Sequence, residues 1–368
     1  MSRAKRPGRV LIVTGRSGGH IFPAVSVLER ICAETGTGEA ILVLPDRAVL
    51  PPGNKDCAGR RSVNLPYPPP GLRKALGRLA ILVYLPAIVL KSLFILLYFR
   101  PAVVAGFGSI CSVPMVFLAH LFGIRTLIHE QNVIPGKASL FLAGFADKIA
   151  VSFSGSGKYL GAASGKAVLT GNPLRSGLRK VNRKEALEFF GLTAGKFTVL
   201  VTGGSQGSSR INDSFVRAVK LLKEPQKLQV VHLTGGRDFA RIKEAYRGCG
   251  AEARVFEFLS AMEYAYSAAD LIISRAGAIT VSEIIYYGLP AILVPYPFAG
   301  RHQDANAEVL KQAGGASVID DRLVSAELLR AELERAAASG PRNAGYPALT
   351  GNEACSLVAE EIIDLTCR

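Results

Sequence analysis

Val10-Leu11-Ile12-Val13-Thr14-Gly15-Arg16-Ser17-Gly18-Gly19-His20, followed by the helical spacing of Ala24, Val25, Val27, Leu28 and Ile31, reads as strand, glycine turn, helix. That is the opening unit of a doubly wound α/β domain. The same unit returns later. Phe197 to Val201 is apolar, Thr202-Gly203-Gly204-Ser205-Gln206-Gly207-Ser208-Ser209-Arg210 is the turn, and Ile211, Phe215, Val216, Val219 and Leu222 keep helical spacing. Two openings predict two Rossmann-like domains in one chain.

Outward from these turns, short apolar runs alternate with helical stretches: Ala40 to Leu44, Val103 to Ala105, Thr126 to His129, Lys148 to Val151, Gln229 to Leu233, Leu271 to Ile273 and Ala291 to Val294. They lack strict alternation and suit parallel strands covered on both faces. The expected division is 1–170, joined by a C-terminal helix over 352–368, and 171–351. Its crossing lies near Thr170-Gly171-Asn172-Pro173, and Ser339 to Pro347 reads as a returning linker.

A chain of 368 residues, 49% hydrophobic and 20% charged, has the apolar content for such a pair of domains. The cysteines, Cys32, Cys57, Cys111, Cys249, Cys355 and Cys367, form no CxxC pair and fit a reducing compartment. The apolar run at Val10 is too short for a secretory signal, so a cytoplasmic location is expected. A formal net charge of +15 points to anionic partners. Nucleic acid is not expected among them, because no zinc-finger, RNP or basic-zipper pattern accompanies the charge.

Residues 72–100 pair bases with a long apolar run. Between Lys55 and Arg100 stand eight Lys or Arg residues and one acid, Asp56. The favoured reading is contact with an anionic membrane surface. Core helices and a true membrane span stay open, though Pro86 and Lys91 count against the span.

The polar groups cluster where strands end. His20 follows the first glycine turn, and an imidazole there can take a proton from a hydroxyl; a packing or capping histidine is the plainer alternative. Gly203 to Gly207 can hold a diphosphate on backbone amides. The letters GxSxG within it keep a serine hydrolase open, with His232 and His302 as partners. His129-Glu130-Gln131-Asn132 ends a strand and is expected to face a cleft; it lacks a third metal ligand and is not HExxH. In Ser274 to Glu283, Arg275 can meet phosphate. Glu283 is either a ribose ligand or, three residues after Thr280, half of a capping box. Arg301 to Asn306 can read sugar hydroxyls or begin a helix. No P-loop is present, and Asp46 is only a weak candidate for a dinucleotide ribose contact.

Together these segments are similar to the MurG family within glycosyltransferase family 28. The matching stretches are SGGHIFPA at 17–24, HEQN at 129–132, GNPLR at 171–175, GGSQGSSRIN at 203–212, SRAGAITVSE at 274–283, GLPAILVP at 288–295 and HQDANA at 302–307. The resemblance implies a GT-B architecture, two doubly wound α/β domains facing a central cleft. It implies inverting transfer of N-acetylglucosamine from UDP-N-acetylglucosamine to the C4 hydroxyl of undecaprenyl-pyrophosphoryl-MurNAc-pentapeptide (lipid I), giving lipid II for peptidoglycan, without a cofactor or catalytic metal. A related family 28 enzyme acting on a different lipid is the alternative.

By the same resemblance His20 is the base, and Ser17, Gly18, Gly19, His129, Glu130 and Asn132 serve the acceptor. Arg175, Ser205, Gln206, Leu259, Arg275, Ile279, Thr280, Glu283, His302, Gln303 and Asn306 serve the donor. Implied partners are the undecaprenyl-linked acceptor, an anionic membrane through about 72–100, and cell-wall synthesis proteins. The implied location is peripheral, on the cytoplasmic face of the plasma membrane. The chain departs from the family pattern at Arg16, usually glycine, at Gly108-Ser109-Ile110, where a tyrosine is usual, and in the length of the apolar run 79–99.

Overall fold

The computed structural model describes residues 8–35, 39–48, 62–77, 79–298, 301–339, 344–346 and 350–367. The chain divides into two units, 1–176 with 349–368, and 177–348.

In the first unit β1 (Val10–Thr14), α1 (Gly18–Thr35), β2 (Ala40–Pro45), β3 (Ser62–Leu65), α2 (Pro70–Leu76), α3 (Leu79–Phe99), β4 (Val103–Phe107), α4 (Ser112–Leu121), β5 (Arg125–Glu130), α5 (Lys137–Ala143), β6 (Lys148–Val151) and β7 (Ala167–Leu169) follow in order. The second unit holds α6 (Arg183–Phe190), β8 (Phe197–Thr202), α7 (Ser209–Lys220), β9 (Leu228–Leu233), α8 (Phe239–Ala245), β10 (Glu252–Phe256), α9 (Met262–Ala268), β11 (Leu271–Ser274), α10 (Ala278–Tyr287), β12 (Ala291–Leu293), α11 (His302–Gln312), β13 (Ala316–Val318) and α12 (Ala326–Ser339). A last helix, α13 (Gly351–Thr366), belongs to the first unit.

The first sheet runs β3-β2-β1-β4-β5-β6-β7 and the second β10-β9-β8-β11-β12-β13, all parallel. Each sheet turns outward in both directions from a central pair, β1 with β4 and β8 with β11. Loops at the carboxyl ends of such a pair splay apart and leave a crevice, the usual ligand position of the fold. Both glycine turns of the sequence open onto these switch points.

Every residue of β1 is buried because helices cover both sheet faces. On one face α1 packs with α13, whose Cys355, Val358, Ala359, Ile362 and Leu365 join Ile21, Leu28 and Ile31 in one core. An ion pair between Lys148 and Glu361 ties α13 to β6. On the other face lie α3, α4 and α5.

The division falls later than expected, after Ser176 instead of 170. Two contacts hold the intervening segment to the first unit. The Gly171 carbonyl accepts from His129, and Asn172 bridges Thr350 in parallel fashion. The linker expected over 339–347 lies largely outside the described residues, as do the N-terminal Met1 to Arg6, Cys57, and the bases Lys55, Arg60, Arg61 and Arg78.

The apolar run is a single helix, α3, with Pro86 inside it. Ala80, Ile88, Ser92, Ile95 and Leu96 are buried at helical spacing against the sheet. Leu82, Val83, Leu90, Phe94, Leu97 and Tyr98 face outward, Tyr98 at 80% exposure.

Candidate active site

In the first unit the site begins at the β1–β4 switch point. Ser17 ends the glycine turn, and its carbonyl accepts from the N–H of His20 at 2.9 Å and of Ile21 at 3.0 Å, which starts α1 at Gly18. This places the His20 imidazole against the loop that follows β4. A β-carbon at Gly15 would fall 2.5 Å from that of Ser109, so only glycine lets the two loops meet.

Three polar side chains then run inward from His20. His20 Nδ1 lies 3.1 Å from Gln131 Oε1, Gln131 Nε2 lies 3.0 Å from His129 Nδ1, and His129 Nε2 lies 3.2 Å from the Gly171 carbonyl oxygen. Burial pulls both imidazoles below the ordinary histidine range, His129 to about 4. For His20 the Glu130 carboxylate and the Gln131 bond work partly against that shift. Both rings are therefore neutral near pH 7, the state a base requires.

His129 and Glu130 were expected to line an open cleft, and both are buried instead. His129 stacks on Phe107, ring centroids 5.2 Å apart. Glu130 Oε1 accepts from the Asn132 N–H at 2.8 Å and from its side-chain amide at 3.1 Å, while Oε2 accepts from the Gly136 N–H at 3.0 Å. Glu130 thus shapes the loop before α5, and Asn132 is the half-exposed member of the motif. Gln131, passed over in the reading of the sequence, is the link between the two histidines. Its signal is spatial, because its partner His20 stands far away in the chain.

Arg16 turns off the glycine loop. Its guanidinium lies 4.8 Å from the Tyr67 ring centroid, and Nη2 donates to the Arg47 carbonyl at 3.4 Å. The loop after β4 carries Gly108 and Ser109, both with left-handed backbone, φ 75° and 72°. Ile110 beside them is exposed, and with Val113, Lys137, Ala138 and Phe141 it lines an apolar hollow of about 430 Å³. Arg175 falls in the first unit, its guanidinium over the Phe22 ring at 5.1 Å.

In the second unit the turn after β8 is built from glycine for steric reasons. A β-carbon at Gly203 would lie 2.2 Å from the Ser208 nitrogen, and one at Gly207 would lie 1.9 Å from the Thr234 carbonyl oxygen. Ser205 and Gln206 stand exposed at its tip. Ser208 precedes α7 but makes no side-chain cap, because its hydroxyl accepts from Arg275 Nη2 at 2.8 Å. The helix start keeps backbone N–H groups for an anion.

Arg275 is spent internally. Nη1 donates to Asp321 Oδ1 at 2.6 Å and to the Val294 carbonyl at 3.1 Å. The bonds to Asp321, Val294 and Ser208 make Arg275 a brace for the loop after β11. Gln303 and Asn306, expected to read sugar hydroxyls, hold the same loop from α11. Gln303 Oε1 accepts from the N–H groups of Ala276 at 3.1 Å and Tyr296 at 2.8 Å, and the buried Asn306 amide donates to the Ala276 carbonyl at 3.2 Å. His302 is half-buried at the start of α11. Ile279 and Thr280 lie in the uncapped first turn of α10, and Leu259 is buried in the loop after β10.

Two alternatives from the sequence do not survive. Glu283 is not half of a capping box: α10 starts from Gly277, so Thr280 is already inside the helix. The Glu283 carboxylate is buried and accepts from the Tyr266 hydroxyl at 2.6 Å. His232 cannot serve Ser205 as a base. It is fully buried, with Nδ1 2.8 Å from the Tyr246 hydroxyl and Nε2 3.1 Å from Asn212 Oδ1, and burial lowers its pKa to about 3.

Residues 198–356 match the family model of the glycosyltransferase family 28 C-terminal domain, and residues 66–151 that of the family 28 N-terminal domain. A protein of Syntrophus aciditrophicus named UDP-N-acetylglucosamine–N-acetylmuramyl-(pentapeptide) pyrophosphoryl-undecaprenol N-acetylglucosamine transferase is 39% identical over 328 residues, 89% of each chain. One of the same name from Halothermothrix orenii is 35% identical over 326 residues, 85% of this chain and 86% of that one. The crystal structure of Acinetobacter baumannii MurG superposes with a TM-score of 0.74 at 25% identity, covering 97% of this chain and 100% of that one. Two doubly wound parallel sheets in one chain are the GT-B architecture, and with relatives matched at this level over most of their length the chain belongs to the MurG family of glycosyltransferase family 28.

Proposed function

We propose that the protein transfers N-acetylglucosamine from UDP-N-acetylglucosamine to the C4 hydroxyl of the muramyl sugar of undecaprenyl-pyrophosphoryl-MurNAc-pentapeptide, with inversion at C1. The observation that carries this reading is the similarity to transferases of that name over 89% of the chain, 39% identical over 328 residues. The geometry supports it on both sides of the reaction. His20 stands neutral at the first switch point, where an acceptor hydroxyl needs a base. The second unit offers the Gly203–Gly207 turn and the uncapped starts of α7 and α10, where charge grows on departing UDP. In one displacement the hydroxyl oxygen bonds to C1, the C1–phosphate bond breaks with its electron pair on UDP, and the proton passes to His20. Glu283 receives the ribose hydroxyls, and Ser205 with Gln206 the diphosphate.

The reaction is proposed to run without a resident cofactor or metal. Among the described residues no three His, Cys, Asp or Glu side chains converge as ligands. Undiminished turnover in excess EDTA supports this; loss restored by a divalent cation counts against it.

The proposed location is the cytoplasmic face of the plasma membrane, held peripherally. By length and composition α3 is apolar enough to cross a bilayer. Leaving the fold to do so would uncover the apolar sheet residues, Leu11, Val13 and Val43 among them, that share a core with Ile88, Ile95 and Leu96. Lying in the interface keeps that face packed and gives Leu90, Phe94 and Tyr98 to lipid, with the exposed Lys74 near acidic headgroups.

The test is transfer from UDP-N-acetylglucosamine to lipid I in detergent, followed by mass spectrometry. Formation of lipid II with inverted C1 supports the reading, and bound donor without transfer to lipid I overturns the acceptor assignment.

A further inference from the structure

We propose that Gln131 and His129 are positioning residues that fix the tautomer of His20, so that its Nε2 carries the lone pair that receives the acceptor proton. This rests on the assignment of His20 as base. The direction of the inward chain is set by groups that hold no proton to give. The Gly171 carbonyl only accepts, so His129 Nε2 is the protonated nitrogen of that neutral ring and Nδ1 carries its lone pair. A lone pair at His129 Nδ1 demands a donor, which makes the facing atom of Gln131 its amide nitrogen. A second carbonyl fixes the same orientation independently, because Gln131 Nε2 also lies 3.2 Å from the His129 backbone oxygen. Gln131 Oε1 must then face His20, and it accepts from Nδ1–H at 3.1 Å. The remaining nitrogen of a neutral His20, Nε2, is unprotonated.

The arrangement needs no change during the reaction. The acceptor O–H bond breaks and the proton bonds to Nε2, while Nδ1–H continues to donate to the same amide oxygen. The imidazolium returns its proton to solvent after UDP leaves. Two titratable groups on β5 act on His20: the Glu130 carboxylate favours the imidazolium, and His129 interacts electrostatically with it. Because His129 is itself held neutral, it does not compete for the proton. A buried glutamine bridging two histidines thus relays geometry and no charge. In the Ser-His-Asp triad an aspartate does the corresponding work.

The full chain has five histidines, few enough to resolve individually. Long-range proton–nitrogen correlation spectra of ¹⁵N-histidine-labelled protein at pH 7.5, with His20 assigned through His20→Gln, read the tautomer directly. The expected result is Nδ1–H for His20 and Nε2–H for His129. An Nε2–H tautomer at His20 in the unaltered protein overturns the proposal and requires no variant to fold. Gln131→Met is expected to mix the His20 tautomers and lower the transfer rate on the order of 10–100-fold with UDP affinity kept. Gln131→Glu, which can still accept from Nδ1, is expected to keep the tautomer and move the acid limb of the rate profile to higher pH. Wild-type tautomer and rate in Gln131→Met also overturn it. Full transfer by His20→Ala would instead sink the base assignment, a failure the spectra separate from loss of the tautomer.

Discussion

Gly108 lies against the His20 imidazole so closely that a β-carbon on it would fall 2.8 Å from both Nδ1 and Cε1. The backbone there has φ 75°, which also favours glycine. Gly108→Ala is expected to cost about 1–2 kcal/mol for the left-handed backbone and to push the ring off Gln131. Turnover should fall on the order of 10–100-fold with donor affinity unchanged. Gly123→Ala is the matched control, since φ is 70° and nothing lies within 4 Å of the added carbon. It should lose stability alone. Equal loss of turnover in both variants would mean that crowding at His20 is not the cause.

The buried pair of Tyr266 and Glu283 gives a second test. Tyr266→Phe removes a 2.6 Å bond to a buried carboxylate and is expected to lower stability by about 1–3 kcal/mol in urea titrations. Glu283→Gln should weaken UDP binding by about tenfold to a hundredfold by calorimetry, the loss of one charge-assisted hydrogen bond to ribose. Unchanged UDP affinity would remove Glu283 from the donor site.

Acid should destabilise the fold through histidines held neutral. His232 and His129 titrate at about 3 and 4 in the folded chain, below the ordinary value of 6.5. The unfolded chain therefore binds protons first as pH falls. The stabilising contribution is whole above 6.5 and is lost progressively towards 4 and 3, at up to about 1.4 kcal/mol per pH unit for each ring. Urea midpoints measured from pH 7.5 to 5 should fall, and His232→Gln should flatten the slope. A flat wild-type profile would show that these rings take protons without unfolding cost.

The outward face of α3 carries the membrane prediction. Leu90 and Phe94 are both exposed, and Phe94 stacks on Tyr98 with ring centroids 5.9 Å apart. Leu90→Asp with Phe94→Asp should reduce sedimentation with phosphatidylglycerol vesicles by more than about tenfold, given ~1.5–3 kcal/mol for each apolar side chain buried in lipid. Donor hydrolysis in free solution should not change. Undiminished vesicle binding would move the docking surface elsewhere.

Much of this was legible in residue order because strand and turn signals are local. Val10 to Gly19 and Phe197 to Gly207 each announce a parallel strand and its glycine turn, and both open on a switch point. What residues do to distant partners was not legible. Thr280 and Glu283 have capping-box spacing, yet Gly277 starts the helix a turn earlier. His129 and Glu130 end a strand as cleft residues do, but neighbours bury them and only contact with residue 20 gives Gln131 its meaning. For the run at 79–99, composition said apolar but for Lys91, and only packing distinguishes Ile88 inside from Leu90 outside.

The placement of α13 bears on how the chain is made. Its apolar side completes a core begun by α1, so the first unit cannot close while the ribosome is still synthesising residues 177–348. The second unit, continuous in sequence, can fold first during translation. Until residue 366 emerges, Ile21, Leu28 and Ile31 lack part of their cover, and a nascent chain halted near 350 would present that apolar strip to chaperones and proteases.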